Sequence, residues 1–135
     1  MEYLKLILKG QIPSLKNDRV NVGIGGKGTG IPARMITVPS GHYKKWYVSA
    51  REQIHNQCVV DYLFRHVEIK YTLYYRIKGR IDLTNSIQSI EDLMTDCMVI
   101  EDDRYRVISK YSASAHYNKV KAGAEILIHN LDFNR

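Results

Sequence analysis

The sequence predicts a single domain of the α/β (α+β) class, ordered β-α-β-α-β-β, with a mixed sheet and two helices packed on it. Three observations lead there. Apolar residues alternate with polar ones at four separate places, the mark of half-buried strands. Between them lie two stretches whose apolar residues recur at helical spacing. The length of 135 residues, 44% hydrophobic and 25% charged, suits one globular core rather than a disordered chain or two domains.

The elements follow in order. Leu4, Leu6 and Leu8 alternate with Tyr3, Lys5, Ile7 and Lys9 to give the first strand, which Gly10 ends. Residues 10–39 show no period and hold six glycines and all three prolines, Pro13, Pro32 and Pro39. They are expected to form a mobile, basic, Gly-rich loop, since so long a stretch without structure is usually a functional one. Ser40 is placed to cap a first helix, whose stripe is Tyr43, Trp46, Tyr47, Ala50, Ile54 and Cys58; Trp46 is expected in the core. Residues 66–77 give the clearest strand, with Val67, Ile69, Tyr71, Leu73, Tyr75 and Ile77 on one face. A second helix is expected from about Asn85 to Asp96, opened by Asn85 and Gln88 as a capping box and carrying Ile87, Ile90, Met94 and Cys97 inward. Strands near Arg106–Ala115 and Lys121–His129, joined by a turn at Tyr117-Asn118-Lys119, complete the sheet.

Composition narrows the function classes. No apolar run reaches the roughly 18 residues of a membrane span, and the chain opens directly on a strand pattern without a signal peptide, so the expectation is a cytoplasmic protein. Cys58 and Cys97, both assigned to helices, are expected to be reduced, buried thiols, and their spacing does not suit zinc. The net charge of +6 is uneven. Residues 1–50 hold eight Lys and Arg against two acids, whereas the rest of the chain holds twelve of each sign. A flexible basic segment attracts polyanions, nucleic acid first among them; a basic surface serving only solubility has the same composition.

Candidate chemistry lies between residues 80 and 103. Asp82 follows the second strand, Asp92 and Asp96 share one face of the second helix, and Glu101, Asp102 and Asp103 cluster before the third strand. If the second and third strands are neighbours, Asp82 and the 101–103 cluster are expected to meet at one end of the sheet. Crowded carboxylates repel unless a proton or a hard divalent cation sits among them. Lys78, Arg80, Arg104 and Arg106 surround them with positive charge. A carboxylate centre rimmed by cations suits metal-assisted phosphodiester cleavage, in which the metal activates water and the rim holds the phosphate backbone.

The segment from Gly79-Arg80-Ile81-Asp82-Leu83-Thr84-Asn85 to Val99-Ile100-Glu101-Asp102-Asp103 resembles the signature of the RusA-type Holliday junction resolvases: a basic residue, Asp-Leu-Asp-Asn, a helix containing an Asp, and a closing Asp-Asp pair. Ile12-Pro13-Ser14-Leu15-Lys16-Asn17 and Tyr43-Lys44-Lys45-Trp46 resemble two further elements of that family, so the likeness covers nearly the whole chain. It implies a Mg²⁺-dependent (or Mn²⁺-dependent) endonuclease that acts as a homodimer on branched DNA such as four-way junctions, in recombination and repair. It implies Asp82 and Asp103 as catalytic and metal-binding, with Asp102, Asp92 and Gln88 as further ligands gathered near the dimer interface. Lys16, Arg19, Lys27, Lys78, Arg80 and Arg104 are the expected DNA contacts. Members of the family are often carried by phages and prophages, which implies a bacterial or phage-infected cell. Two positions depart from the pattern: Thr84 replaces a second Asp, and Gln88 replaces a Lys. Fewer charges weaken Mg²⁺ binding, so the alternative is a weak or inert junction-binding protein.

Overall fold

A long parallel pair of strands organises the molecule. The computed structural model describes residues 1–14, 19–58, 61–78 and 82–134, and for Arg19 the backbone alone. The elements are β1 (Tyr3–Lys9), β2 (Arg19–Gly26), β3 (Ile31–Pro39), α1 (Gly41–Gln57), β4 (Val67–Tyr75), α2 (Leu83–Asp96), β5 (Ile108–Tyr117) and β6 (Gly123–Asn130). Four strands make a mixed sheet of order β1-β6-β4-β5, in which only β4 and β5 run parallel. α2 supplies the crossover that a parallel connection needs.

Alternation in β1, β4 and β6 sends Leu6, Leu8, Ile69, Tyr71, Leu73, Ile126 and Ile128 into the core, all 2% exposed or less. They meet Trp46, Ala50 and Ile54 of α1 and Ile90, Leu93 and Met94 of α2. Each large apolar side chain so buried stabilises the fold by about 1.5–3 kcal/mol. The opposite face of the sheet, with Lys5, Lys9 and Lys70, is open to solvent. Ser40 caps α1, its hydroxyl accepting from the Tyr43 N–H at 3.1 Å. Trp46 lies in the core as its place in the stripe predicts.

Three expectations are corrected. Residues 10–39 are not a structureless loop: β2 and β3 form an antiparallel hairpin, a second sheet separate from the first. Val20 pairs with Val38 and Val22 with Ile36, so a period-2 apolar pattern was present and was hidden by the glycines between. Those glycines make the turn, where Thr29 closes on the Gly26 carbonyl through its N–H at 3.1 Å and its hydroxyl at 2.6 Å. The start of α2 is the second correction. Its N-cap is Asp82, whose carboxylate accepts from the Asn85 N–H at 3.2 Å and from the Asn85 side-chain amide at 2.8 Å. The Asn85–Gln88 capping box does not form, because Asp82 offers an acceptor three residues earlier and α2 begins there. Third, Cys58 and Cys97 do not lie inside helices; they are the C-caps of α1 and α2, free and half-buried.

The two edges of the main sheet differ. β1 is sealed by α1: the Ile7 and Lys9 N–H groups donate to Gln57 Oε1 and Gln53 Oε1, each at 2.7 Å. The same amides donate back to the Ile7 and Lys9 carbonyls at 2.7 and 3.2 Å. β5 is the other edge, and eight of its ten residues are exposed. Among the described residues, no helix is long and apolar enough to cross a membrane.

Candidate functional site

Strand direction separates the acids that the sequence pattern groups together. β4 and β5 are neighbours but parallel, with Val67 beside Ile108 and Tyr75 beside Tyr117. Asp82 follows the C-terminal end of β4, whereas Glu101, Asp102 and Asp103 precede the N-terminal start of β5. The two groups therefore lie at opposite ends of the sheet, and the expected meeting of Asp82 with the 101–103 cluster within one chain is overturned. α2 spans the gap. Asp82 caps its first turn, and Asp103 is felt by Asp92 and Glu91 near its end. Ten residues of helix separate Asp82 from Asp92, about 15 Å at the α-helical rise.

At the second end, Asp92, Asp96 and Asp103 line one pocket of about 320 Å³ with Thr95, Tyr43 and Tyr47. The Tyr47 hydroxyl donates to Asp96. Burial, that hydrogen bond and the Asp96 charge push the Tyr47 hydroxyl up to about 12. Burial raises Asp92, with the charges of Asp103 and Asp96 adding to it. Asp103 is raised by its hydrogen bond with Asp102 and by burial, while Arg104 and the Asp103 hydrogen bonds lower Asp102. Arg104 Nε lies 2.5 Å from Asp102 Oδ2, and Asp102 Oδ1 accepts the Asp103 N–H at 2.7 Å. Asp102 is thus spent on Arg104 and on the turn, leaving Asp103 as the exposed acid of the pair.

Glu91 is the acid that the sequence reading missed. It is half-buried and accepts from the Tyr71 hydroxyl at 3.1 Å. Burial pushes it up to about 7, against the lowering effect of that hydrogen bond and with Asp103 and Asp92 raising it further. The signal was its position four residues after Ile87 and three before Met94, on the buried stripe of α2. A raised folded value means that the folded chain holds a proton which the unfolded chain releases from about pH 4.5. The resulting stability is fully present below that pH and is lost as pH rises through about 7. In metal-free buffer, Glu91→Gln is expected to flatten this part of the stability profile. The effect is on the order of 1–2 kcal/mol after discounting for solvent screening, and denaturant melts across that range measure it.

The remaining expected residues divide between the two ends. Gln88 and Thr84 are exposed on α2. Lys78 lies at the Asp82 end, its Nζ 4.8 Å from the centre of the Tyr117 ring. Arg104 lies at the Asp103 end and its side chain is 80% exposed. Lys27 occupies the exposed tip of the β2–β3 hairpin, with Arg34 on β3. Lys16, Arg80 and the Arg19 side chain fall outside the described residues. Among the described residues, no three His, Cys, Asp or Glu side chains stand close enough together to hold a metal ion. The parallel course of β4 and β5, with Asp82 after the one and Asp103 before the other, keeps these two acids of one copy from a shared cation.

A larger cavity of about 560 Å³ lies elsewhere, lined by Leu4, Ile54, Cys58, Tyr62 and Phe64 among others. Its described lining is mostly apolar, with Asp61 its one carboxylate and none of Asp82, Asp92, Asp96 or Asp103, so the grouped acids point to the smaller pocket. No family model matches the chain, and no curated protein matches it.

Proposed function

We propose that this chain is a metal-dependent endonuclease acting on branched DNA, with Mg²⁺ or Mn²⁺ as cofactor, and that two copies act together as a homodimer in the cytoplasm. The observation that carries the reading is the pocket where Asp92, Asp96 and Asp103 face solvent together beside Arg104. Asp92 holds its proton more tightly than usual because it is partly buried near the charges of Asp103 and Asp96, and Asp103 does so through its hydrogen bond with Asp102 and its own partial burial. Among the described residues of one copy these acids do not make a metal-holding cluster; a cation that gains a further carboxylate from a second copy would relieve their repulsion, and Arg104 beside them would attract phosphate. The Asp82-Leu83-Thr84-Asn85 and Asp102-Asp103 pattern of the RusA-type family supplies the substrate class.

Asp82 joins this site only if a second copy brings its α2 N-terminus to the Asp103 end of the first. A dimer that exchanges ends yields two equivalent sites, which suits a two-fold substrate and paired nicks. Within each copy, the chain's own residues have clear tasks. Asp82 fixes the start of α2, Arg104 is held beside the acids by Asp102, and the hairpin reaches outward with Lys27 and Arg34 toward the DNA backbone.

A second reading, a junction-binding protein with little or no cleavage, is favoured by the neutral Thr84 and Gln88 on the exposed side of α2 and by the separation of Asp82 from Asp103. A synthetic four-way junction separates the two. The nuclease gives symmetric nicks that depend on Mg²⁺ or Mn²⁺; the binder gives a mobility shift and no nicks with either metal. No preference for the junction over linear duplex sinks both.

A further inference from the structure

The geometry points to β5 as the surface on which two copies of this chain join: we propose that β5 pairs antiparallel with β5 of a second copy, centred on Ser114. This deepens the two-copy reading above and rests on it.

The first observation is the contrast between the sheet edges. α1 takes up the outer hydrogen-bonding groups of Ile7 and Lys9 through Gln57 and Gln53, so the second half of that edge is already occupied. β5 is a ten-residue edge strand whose described residues include no proline and no bulge between Glu68 and Tyr75 of its neighbour's register. Natural edges are usually blunted by such devices, and a long, regular, open one is a template for strand addition.

The side chains say what fits. Pairing with β4 puts Tyr111, Ala113, Ala115 and Tyr117 on the helix side of β5, in register with Ile69, Tyr71, Leu73 and Tyr75. Those four β4 residues are buried, yet Tyr111 and Tyr117 remain 52% and 49% exposed, and both alanines are exposed as well. The core is covered over β4 and stops short of β5, leaving an apolar strip of tyrosine, alanine, alanine, tyrosine. This strip is complementary to its own reverse. Antiparallel pairing about Ser114 sets Tyr111 against Tyr117 and Ala113 against Ala115, in both directions. Aromatic pairs across strands are favourable, and the alanines let the backbones approach. On the open face the same register sets Ser112 against His116 and Ser114 against itself, with no like charges opposed. An unrelated peptide has no reason to repeat this order, whereas a second copy repeats it by symmetry.

The pairing also has the direction that the separated acids require. Antiparallel apposition lays the Ile108 end of one β5 beside the Tyr117 end of the other. The Asp103 end of each copy then flanks the Asp82 end of its mate, with both α2 helices on the same side of a continuous sheet.

The test is the solution mass, by sedimentation equilibrium over a concentration series, for the wild type and for Ser114→Lys. Ser114 is a half-exposed edge position, and a lysine there meets its own copy directly across the axis. The wild type is expected at twice the 15.6 kDa of one chain, and Ser114→Lys at 15.6 kDa with unchanged circular dichroism. Ser114→Cys supplies a second measurement. Oxidised glutathione is expected to link two copies of it covalently, and to leave the wild type, with its own two cysteines, unlinked. A monomeric wild type, a Ser114→Lys dimer as tight as wild type, or failure of Ser114→Cys to link each overturns the β5 interface. A dimer broken by Ser114→Lys that nicks no junction leaves this interface standing and removes the nuclease; nicking by a chain that stays monomeric does the reverse.

Discussion

Asp82→Asn and Asp103→Asn are each expected to abolish junction nicking, and mixing the two inactive proteins is expected to restore it. Each substitution removes one charged ligand, and the expected fall is about 100-fold or more, or about 2.7 kcal/mol of transition-state stabilisation. Neither change should unfold the chain. Asparagine caps a helix about as well as aspartate, so α2 keeps its start in Asp82→Asn. In Asp103→Asn the Asp102–Arg104 pair is untouched, and a carboxylate whose charge the fold disfavours is replaced by a neutral group. Junction binding should hold or tighten, because less negative charge faces the phosphates.

Mixing gives the decisive result, because Asp82 and Asp103 lie at opposite ends of α2. If each site takes Asp82 from one copy and Asp103 from the other, a mixed dimer contains one site with both defects and one with none. It cuts one strand and not the other. If each site is built within a copy, every site in the mixture is defective and nothing is recovered. Mutants that each cut at the wild-type rate would remove both residues from the chemistry.

The largest expected effect on stability comes from Gly123→Ala. Gly123 opens β6 between β1 and β4, at φ +142°, a conformation that side-chain-bearing residues rarely adopt. A Cβ there would sit 2.0 Å from the Leu8 carbonyl oxygen and 3.3 Å from the Lys9 Cα. Both obstacles are backbone atoms of a paired strand, so relief requires breaking the β1–β6 ladder. The expected cost is about 4 kcal/mol or more, at the severe end for one substitution, and a fall in Tm of roughly 15 °C. Gly10→Ala is the comparison. Gly10 also has positive φ, +100°, but nothing lies within 4 Å of its added Cβ. It is expected to lose only the conformational term, about 1–2 kcal/mol. Equal losses for the two in urea melts would show that backbone conformation, not the contact with Leu8, governs the site.

Much of the fold was legible because its signals are local. Alternation marked β1, β4, β5 and β6 to within a few residues, and Ser40 announced α1. Tyr71 was placed on the buried face by parity alone, and it is fully buried. The β2–β3 hairpin was missed because its glycines and prolines outweighed a short alternation, Val20-Asn21-Val22-Gly23-Ile24, whose partner Ile36-Thr37-Val38 lies a dozen residues on. The cap of α2 was placed three residues late because both Asp82 and Asn85 are cap-forming residues, and only the path of the chain chooses between them.

The sequence by itself determined the order of the two helices and the four strands of the main sheet, the face that β4 buries, and most of the acidic and basic residues that chemistry here would use. Those properties depend on spacing along the chain and on side-chain polarity. Only the tertiary structure decided that β5 runs parallel to β4, which sends Asp82 and Asp103 to opposite ends of one helix, and that Asp92, Asp96 and Asp103 share a pocket while Glu91 is drawn beneath Tyr71. Strand direction is set by how the crossover helix packs back on the sheet, and that depends on contacts between residues far apart in the chain.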